Sequence, residues 1–290
     1  MFYICDNVTI KQCNNEAMKK LHTVQILFVL AILTSCSEEK KVNKPEIVSE
    51  NEIIATTPSD SSMVVSDTAK QTPVSANLFG TASLSGKVKF EGDLPKPKAI
   101  NMSADKLCMQ QHKDNIFQED AVISTNGEMK WVFVYIKEGI KQKYPVPQEP
   151  VTLDQKGCQY HPHVFGIIAG QLLQIKNSDP LLHNVHTSPS LNQEFNKGQP
   201  KQGMIDVFTF DKPEIMLPFK CDVHPWMSAK ASIVEHPFFA VTGKDGSYTI
   251  NNLPAGKYTL AAVSEKYGEK TLQVTVTDGG TQTANFEFSK

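Results

Sequence analysis

The stretch that decides the fold runs Glu214-Ile215-Met216-Leu217-Pro218-Phe219-Lys220, Cys221-Asp222-Val223-His224-Pro225-Trp226-Met227, and then Ala229 to Val234 (AKASIV). Two short runs rich in apolar residues flank a turn segment that carries a thiol, an imidazole and a thioether in the pattern Cys-x2-His-x2-Met. Apolar runs of this length, bounded by turn residues, read as strands. The pattern therefore places three donor side chains on one loop between two strands. Cys221 ends the first strand, His224 lies in the tight turn and Met227 begins the second. Pro218 and Pro225 restrict the backbone on either side of these donors.

Outward from this loop the same strand signals recur. Ser83 to Phe90 alternates apolar and polar residues. Trp131 to Ile136 (WVFVYI) is continuously apolar, as suits a strand buried on both faces. Val164 to Ile168, Gln171 to Lys176 and Ile205 to Phe210 are further strands, and Ser103 to His112, with Ser103 as its cap, is the one helix expected. Many short strands with little helix give an all-β fold built as a sandwich. Beyond His236-Pro237 the pattern is more regular. Phe238 to Thr242 and Ser247 to Ile250 flank the turn Gly243-Lys244-Asp245-Gly246. Leu253-Pro254-Ala255-Gly256 precedes Lys257 to Val263, followed by Thr271 to Val276 and Thr283 to Phe288. A domain boundary is therefore expected at residue 237.

Leu182-His183-Asn184-Val185-His186 adds imidazoles to the donors of the 221–227 loop. A mononuclear electron-transfer copper site requires a thiolate, two imidazoles and a weak thioether. Zinc also takes Cys and His, but Met is a poor zinc ligand, which favours copper. Four protein ligands leave no open position for a substrate, so electron transfer is expected rather than catalysis, and the chain is not expected to be an enzyme. The net charge of −2 and the lack of a basic stripe interleaved with aromatics exclude nucleic acid as a partner.

Cys-x2-His-x2-Met together with His-Asn-Val-His resembles the cupredoxins, and among them the short-loop amicyanin type. Gly170 to Asp179 (GQLLQIKNSD) resembles the strand that leads into their first histidine ligand. The resemblance implies a cupredoxin Greek-key β-sandwich over residues 81–236 holding one copper. Its ligands would be His183, Cys221, His224 and Met227, with Asn184 bracing the ligand loops. His186 stands as the alternative to His183. His224, Pro225 and Trp226 would lie at the exposed copper end, with Pro225 and Trp226 forming an electron port for a transient redox partner. Copper carriage or sensing without redox turnover is the competing reading, and a cell-surface, carbohydrate-binding protein with a structural metal site is a third. Cys158-Gln159-Tyr160-His161-Pro162-His163-Val164 resembles a segment of multi-domain cupredoxin-like proteins, some of them labelled methylamine-utilisation proteins.

Thr242 to Tyr248 and Leu253 to Tyr258 resemble the carboxypeptidase regulatory-like modules. These are small transthyretin-like β-sandwiches, also grouped with carbohydrate-binding-like folds. Residues 237–290 would form such a module, with Tyr248, Ile250, Tyr258 and Leu260 in its core and a structural or adhesive role, sugar binding being the alternative.

At the other end, Met18-Lys19-Lys20 and the apolar run Ile26 to Leu33 describe a secretory signal peptide, since a membrane-spanning helix needs roughly 20 apolar residues. Leu33-Thr34-Ser35-Cys36 resembles a bacterial lipobox, which implies lipidation of Cys36 and an exported, membrane-anchored protein. Residues 1–17 read as an upstream extension. Residues 37–80 are rich in Ser, Thr, Glu, Lys, Asn and Pro and read as a disordered tether. Of the six cysteines, setting aside Cys5 and Cys13 in the extension, Cys36 and Cys221 leaves Cys108 and Cys158. In an oxidising compartment these are expected to pair. The alternative is a second metal site from Cys108, His112, Cys158, His161 and His163. It is disfavoured because on a strand His161 and His163 would face away from Cys158.

Overall fold

The computed structural model describes residues 78–290. The signal segment, the lipidation at Cys36 and the tether expected from the sequence fall on residues up to 77, outside the described residues. What is described is nearly all β, with one five-residue helix, α1 (Lys106–Gln110).

Two sandwiches divide the strands. In the first, β10 (Asn196–Gln199), β9 (His183–Thr187), β12 (Glu214–Lys220), β13 (Ser228–Val234) and β7 (Val164–Ile168) form a five-stranded sheet in that order. It faces a four-stranded sheet ordered β11 (Ile205–Phe208), β8 (Leu173–Asn177), β5 (Val151–Lys156) and β6 (Gln159–His161). Between them lies a core containing Leu153, Tyr160, Phe165, Ile175, Val185, Phe219 and Ile233.

The second sandwich pairs β15 (Ser247–Leu253), β1 (Ala82–Phe90), β18 (Thr281–Thr283) and β19 (Phe286–Phe288) against the sheet β14 (Phe239–Val241), β4 (Phe133–Glu138), β16 (Gly256–Ser264) and β17 (Gly268–Val276). A two-stranded ribbon, β2 (Val122–Ile123) and β3 (Met129–Lys130), completes the set.

This topology corrects the boundary expected at residue 237. β1 runs antiparallel to β15 and parallel to β18 and β19. β4 is hydrogen-bonded on both edges, to β14 and β16. Both strands thus belong to the C-terminal sandwich, whose core joins Leu84, Val88 and Val134 to Tyr248, Leu260 and Phe288. The second sandwich is built from both ends of the described chain, and the first is inserted between them. Backbone pairing is what decides this. Residues 237–290 alone would leave β15 and β16 with unpaired ladder groups, and an unpaired sheet edge is a liability.

β4 is buried on both faces, as its sequence requires. Val134 and Ile136 enter the second core, while Phe133 and Tyr135 enter a third cluster with Val164 and Val234 of the first sandwich. Gly166 of β7 sits at this junction, where a Cβ would stand 2.3 Å from the Phe239 ring and 2.8 Å from that of Phe133. Only a residue without a side chain permits this approach.

Local differences from expectation have local causes. α1 is capped by Asp105, not Ser103. The Asp105 carboxylate accepts from the amides of Leu107 (2.8 Å) and Cys108 (3.1 Å), an N-cap arrangement. β4 starts after Trp131 because that residue has a φ of 66°. Cys158 is in a turn rather than a strand. Gly157 and Cys158 are the central residues of the β5–β6 hairpin, with φ of 65° and 52°, and a type I′ turn requires positive φ at both. Alternation therefore does not relate Cys158 to His161 and His163. The latter two also part company, His161 being exposed and His163 buried.

Candidate metal centre

Three of the donors expected from sequence, His183, Cys221 and His224, converge at one end of the first sandwich, and Met227 is buried at the end of the same turn. His183 opens β9, and the Cys221–Met227 turn joins β12 to β13. The turn closes on itself. The Met227 amide donates to the His224 carbonyl (2.9 Å), the Cys221 amide to the Met227 carbonyl (3.3 Å) and the His224 amide to Cys221 Sγ (3.4 Å). Asn184 bridges the two loops, as expected for a brace. Its Oδ1 accepts from the Asp222 amide (2.7 Å) and lies 3.3 Å from Cys221 Sγ, while its Nδ2 donates to Asn196 (2.7 Å). Beneath it the buried Tyr160 hydroxyl donates to the Asn184 carbonyl (2.6 Å).

His183 Nδ1 and His224 Nδ1 stand 3.0 Å apart, and Cys221 Sγ is 3.8 Å from His224 Nδ1. His183, Cys221, His224 and Met227 are each no more than 2% exposed. The outer nitrogens face carboxylates. His183 Nε2 faces an Asp179 carboxylate oxygen at 2.9 Å and His224 Nε2 faces one of Asp105 at 3.4 Å. A carboxylate only accepts, so both Nε2 atoms carry the proton. The two Nδ1 atoms, 3.0 Å apart and facing Cys221 Sγ, cannot both be bare: a proton shared with the neighbouring imidazole or the sulfur, or a cation in its place, has to sit among them. Two imidazoles held this way by outer carboxylates, a buried thiol and a buried thioether form a donor set that fits copper.

The electrostatics agree. Burial opposes ionisation of the Cys221 thiol, but hydrogen bonds from His183 and His224 outweigh it and draw the group down to about 6. Burial likewise opposes the charge on Asp179. His183 and the amides of Cys158 and Gly157 overcome it and hold the carboxylate below its usual range.

Asp105 and Asp179 are the site residues that sequence reasoning missed. Asp179 lies on the loop entering His183, four residues before it, so proximity was its only signal. Asp105 has no signal toward His224, being 119 residues away. The same two carboxylates each hold a second group. Asp105 accepts from the Cys108 amide, and Asp179 accepts from the Cys158 amide at 2.8 Å. Cys108 and Cys158 are joined by a disulfide. One covalent link therefore ties together the two carboxylates that orient the two imidazoles.

The helix α1 and the disulfide form a lid that corrects the exposure expected of His224. His224 is buried beneath α1 and the disulfide rather than exposed. Pro225 is exposed, whereas Trp226 is half-buried with its indole NH donating to the Cys158 carbonyl (3.0 Å). His186 points away from the centre, with its nitrogens on Asp222 (2.7 Å) and Glu194 (2.8 Å), so it does not replace His183. Among the described residues, His112, His161 and His163 do not form a second cluster. His112 and His161 bond the carbonyls of Gly157 and Lys156, and His163 lies between the Ser228 carbonyl and Glu265.

A family model for the carboxypeptidase regulatory-like domain matches residues 229–289. No curated protein matches the chain. Among solved structures the chain is similar to the copper-containing nitrite reductase (NirK) of Thermus scotoductus SA-01, at 23% identity over 35% of this chain and 25% of that one, with a TM-score of 0.27. The chain thus spans a quarter of that reductase chain. It is also similar to an oxidised point mutant of amicyanin, at 21% identity over 29% of this chain and 82% of that one, TM-score 0.27. A purple cupredoxin from Nitrosopumilus maritimus is similar at 17% identity, over 29% of this chain and 99% of that one, TM-score 0.26.

Proposed function

We propose that this chain is a mononuclear copper protein of cupredoxin type that carries electrons and has no catalytic role of its own. The observation that carries this reading is the pair of imidazole Nδ1 atoms 3.0 Å apart beside the Cys221 sulfur, each imidazole held from behind by a carboxylate. His183, His224 and Cys221 would hold copper, with the Met227 thioether as a further soft donor. Bound copper supplies a one-electron couple. The chain's own residues fix the donors and keep water away: Asp179 and Asp105 orient the imidazoles, and Asn184 locks the two loops. A lipid on Cys36 and the segment that follows would hold the sandwiches near a membrane on the exported side, where transient redox proteins meet them.

The burial of His224 favours a second reading, in which copper is stored or carried and not cycled. Without an exposed imidazole edge, electron exchange must pass through Trp226 and Pro225 or through the lid. Loading the protein with Cu(II) separates the readings. An intense visible sulfur-to-copper band that bleaches with reductant and returns with oxidant supports electron transfer. Tight Cu(I) binding with no such band supports carriage. Cys221→Ser should abolish the band, and retention of colour in that variant overturns the ligand assignment.

A further inference from the structure

The two cysteines of the lid are themselves placed as metal donors. Cys108, Cys158 and His224 each offer a donor atom, all within 4.8 Å of one another. Cys158 stands in the same relation to Asp179 and His183. Both sulfurs are fully buried, and His224 is 2% exposed. As a disulfide neither sulfur can act as a ligand, because the thiolate is the metal-binding form.

What holds these cysteines near each other is not the disulfide alone. The Cys108 amide is fixed by Asp105 and the Cys158 amide by Asp179. The Cys158 carbonyl accepts from the Trp226 indole, and His112 bonds the adjacent Gly157 carbonyl. Around the sulfurs themselves, the Gln111 side-chain amide lies 3.6 Å from Cys158 Sγ. Opening the sulfur–sulfur bond therefore leaves two thiols beside an imidazole in a dry, preformed setting.

We propose that Cys108 and Cys158, once reduced, form with His224 a second soft-metal site that takes one Cu(I). Thiolates select Cu(I) over harder ions. The opening step is thiol–disulfide exchange. An external dithiol takes up the sulfur–sulfur bond as its own disulfide, and its two protons pass to Cys108 and Cys158. Cu(I) then displaces those two protons as it binds. The site uses neither Cys221 nor Met227, so it does not depend on the electron-transfer reading. It shares only His224 with the first centre. His224 therefore belongs to both centres, and the redox state of the lid decides which donors surround that imidazole.

The test uses the full chain carrying Cys221→Ser and Met227→Leu, which removes both sulfur donors of the first centre and keeps the two questions separate. Cu(I) affinity is measured anaerobically by competition with a chromophoric chelator, with the disulfide intact and after reduction with a phosphine. The reduced protein should bind one Cu(I) about 100-fold more tightly than the oxidised one. X-ray absorption should show two sulfur neighbours. Adding Cys158→Ser should return the affinity to the oxidised value, and His224→Ala should lower it by about tenfold. Near-UV circular dichroism of the reduced form should stay native. Equal affinity in the two redox states, a gain that survives Cys158→Ser, indifference to His224→Ala, or loss of the near-UV signal on reduction would each overturn the proposal.

Discussion

The two sandwiches fill their interiors differently. The second is almost wholly apolar inside, with Thr242 and Ser264 as its buried polar residues. The first buries Gln155, Asn177, Asp179, His183, Asn184, Gln199 and His224 among its hydrophobic residues. Most of their polar atoms are hydrogen-bonded, as Gln155 to Gln199, Asp179 to His183 and Asn184 to the Asp222 amide, although Gln155 Oε1 has no partner. Asn177 donates to the carbonyls of Leu181 and Gln199 and accepts from the Asp179 amide, shaping the loop that delivers His183. Apolar burial stabilises without direction, at about 25 cal/mol per Å². Hydrogen bonds between buried polar groups add little net stability but fix geometry. The difference teaches a division of labour: the C-terminal sandwich supplies packing, and the inserted one uses its interior to hold two loops in one arrangement.

The largest expected effect tests the packing side. Phe133 is fully buried at the junction of the sandwiches. Phe133→Ala should cost about 3–5 kcal/mol in denaturant unfolding while leaving the copper absorption of the folded protein unchanged. A shifted spectrum would mean that the two regions are not separable.

Asn184→Ala should behave in the opposite way. It leaves the Asp222 amide and Asn196 without their partner and should cost about 1–3 kcal/mol. Its main effect should be faster copper loss, read by transfer to a chelator. Unaltered release kinetics would remove the brace from the account.

A smaller effect should appear in acid. Asp179 has its folded pKa held below the ordinary value of 3.8. Its contribution to stability is therefore present above that value and fades as pH falls through the folded pKa. In the metal-free protein, Asp179→Asn should flatten the loss of stability below about pH 4. Parallel acid limbs for the variant and the parent would contradict this.

The smallest effect belongs to the surface of the second sandwich. Lys137 pairs with Glu269 while remaining 39% exposed, so Lys137→Met should change stability by less than about 1 kcal/mol. A larger loss in thermal unfolding would show that this face carries more of the stability than its exposure suggests.

Much of the strand pattern was legible. Val164–Ile168 coincides with β7, and the run Trp131 to Ile136 carries the burial on both faces seen in β4. β5, β6, β9 and β10 were not foreseen. Their residues mix polar and apolar types because Gln155, Asn184 and Gln199 are buried for hydrogen bonding, and hydrophobic periodicity cannot register such positions. The helix was legible as an element, but its cap was misplaced by two residues. Ser103 and Asp105 both suit an N-cap, and only the positions of the Leu107 and Cys108 amides select Asp105.

The sequence by itself determined the all-β class and the placing of Cys221, His224 and Met227 on one turn between two strands. Seven residues closing a turn between two paired strands keep these positions near one another, so their spacing is already a statement about geometry. Only the tertiary structure decided the rest. It drew β1 and β4 into the C-terminal sandwich, brought Asp105 to His224 across the fold, and laid a disulfide-bonded lid over an imidazole expected at the surface. The physical reason is that strand pairing and buried hydrogen bonds join residues 100 or more positions apart. Such partners leave no trace in local spacing, and they are chosen by which backbone and carboxylate groups must be satisfied once water is excluded.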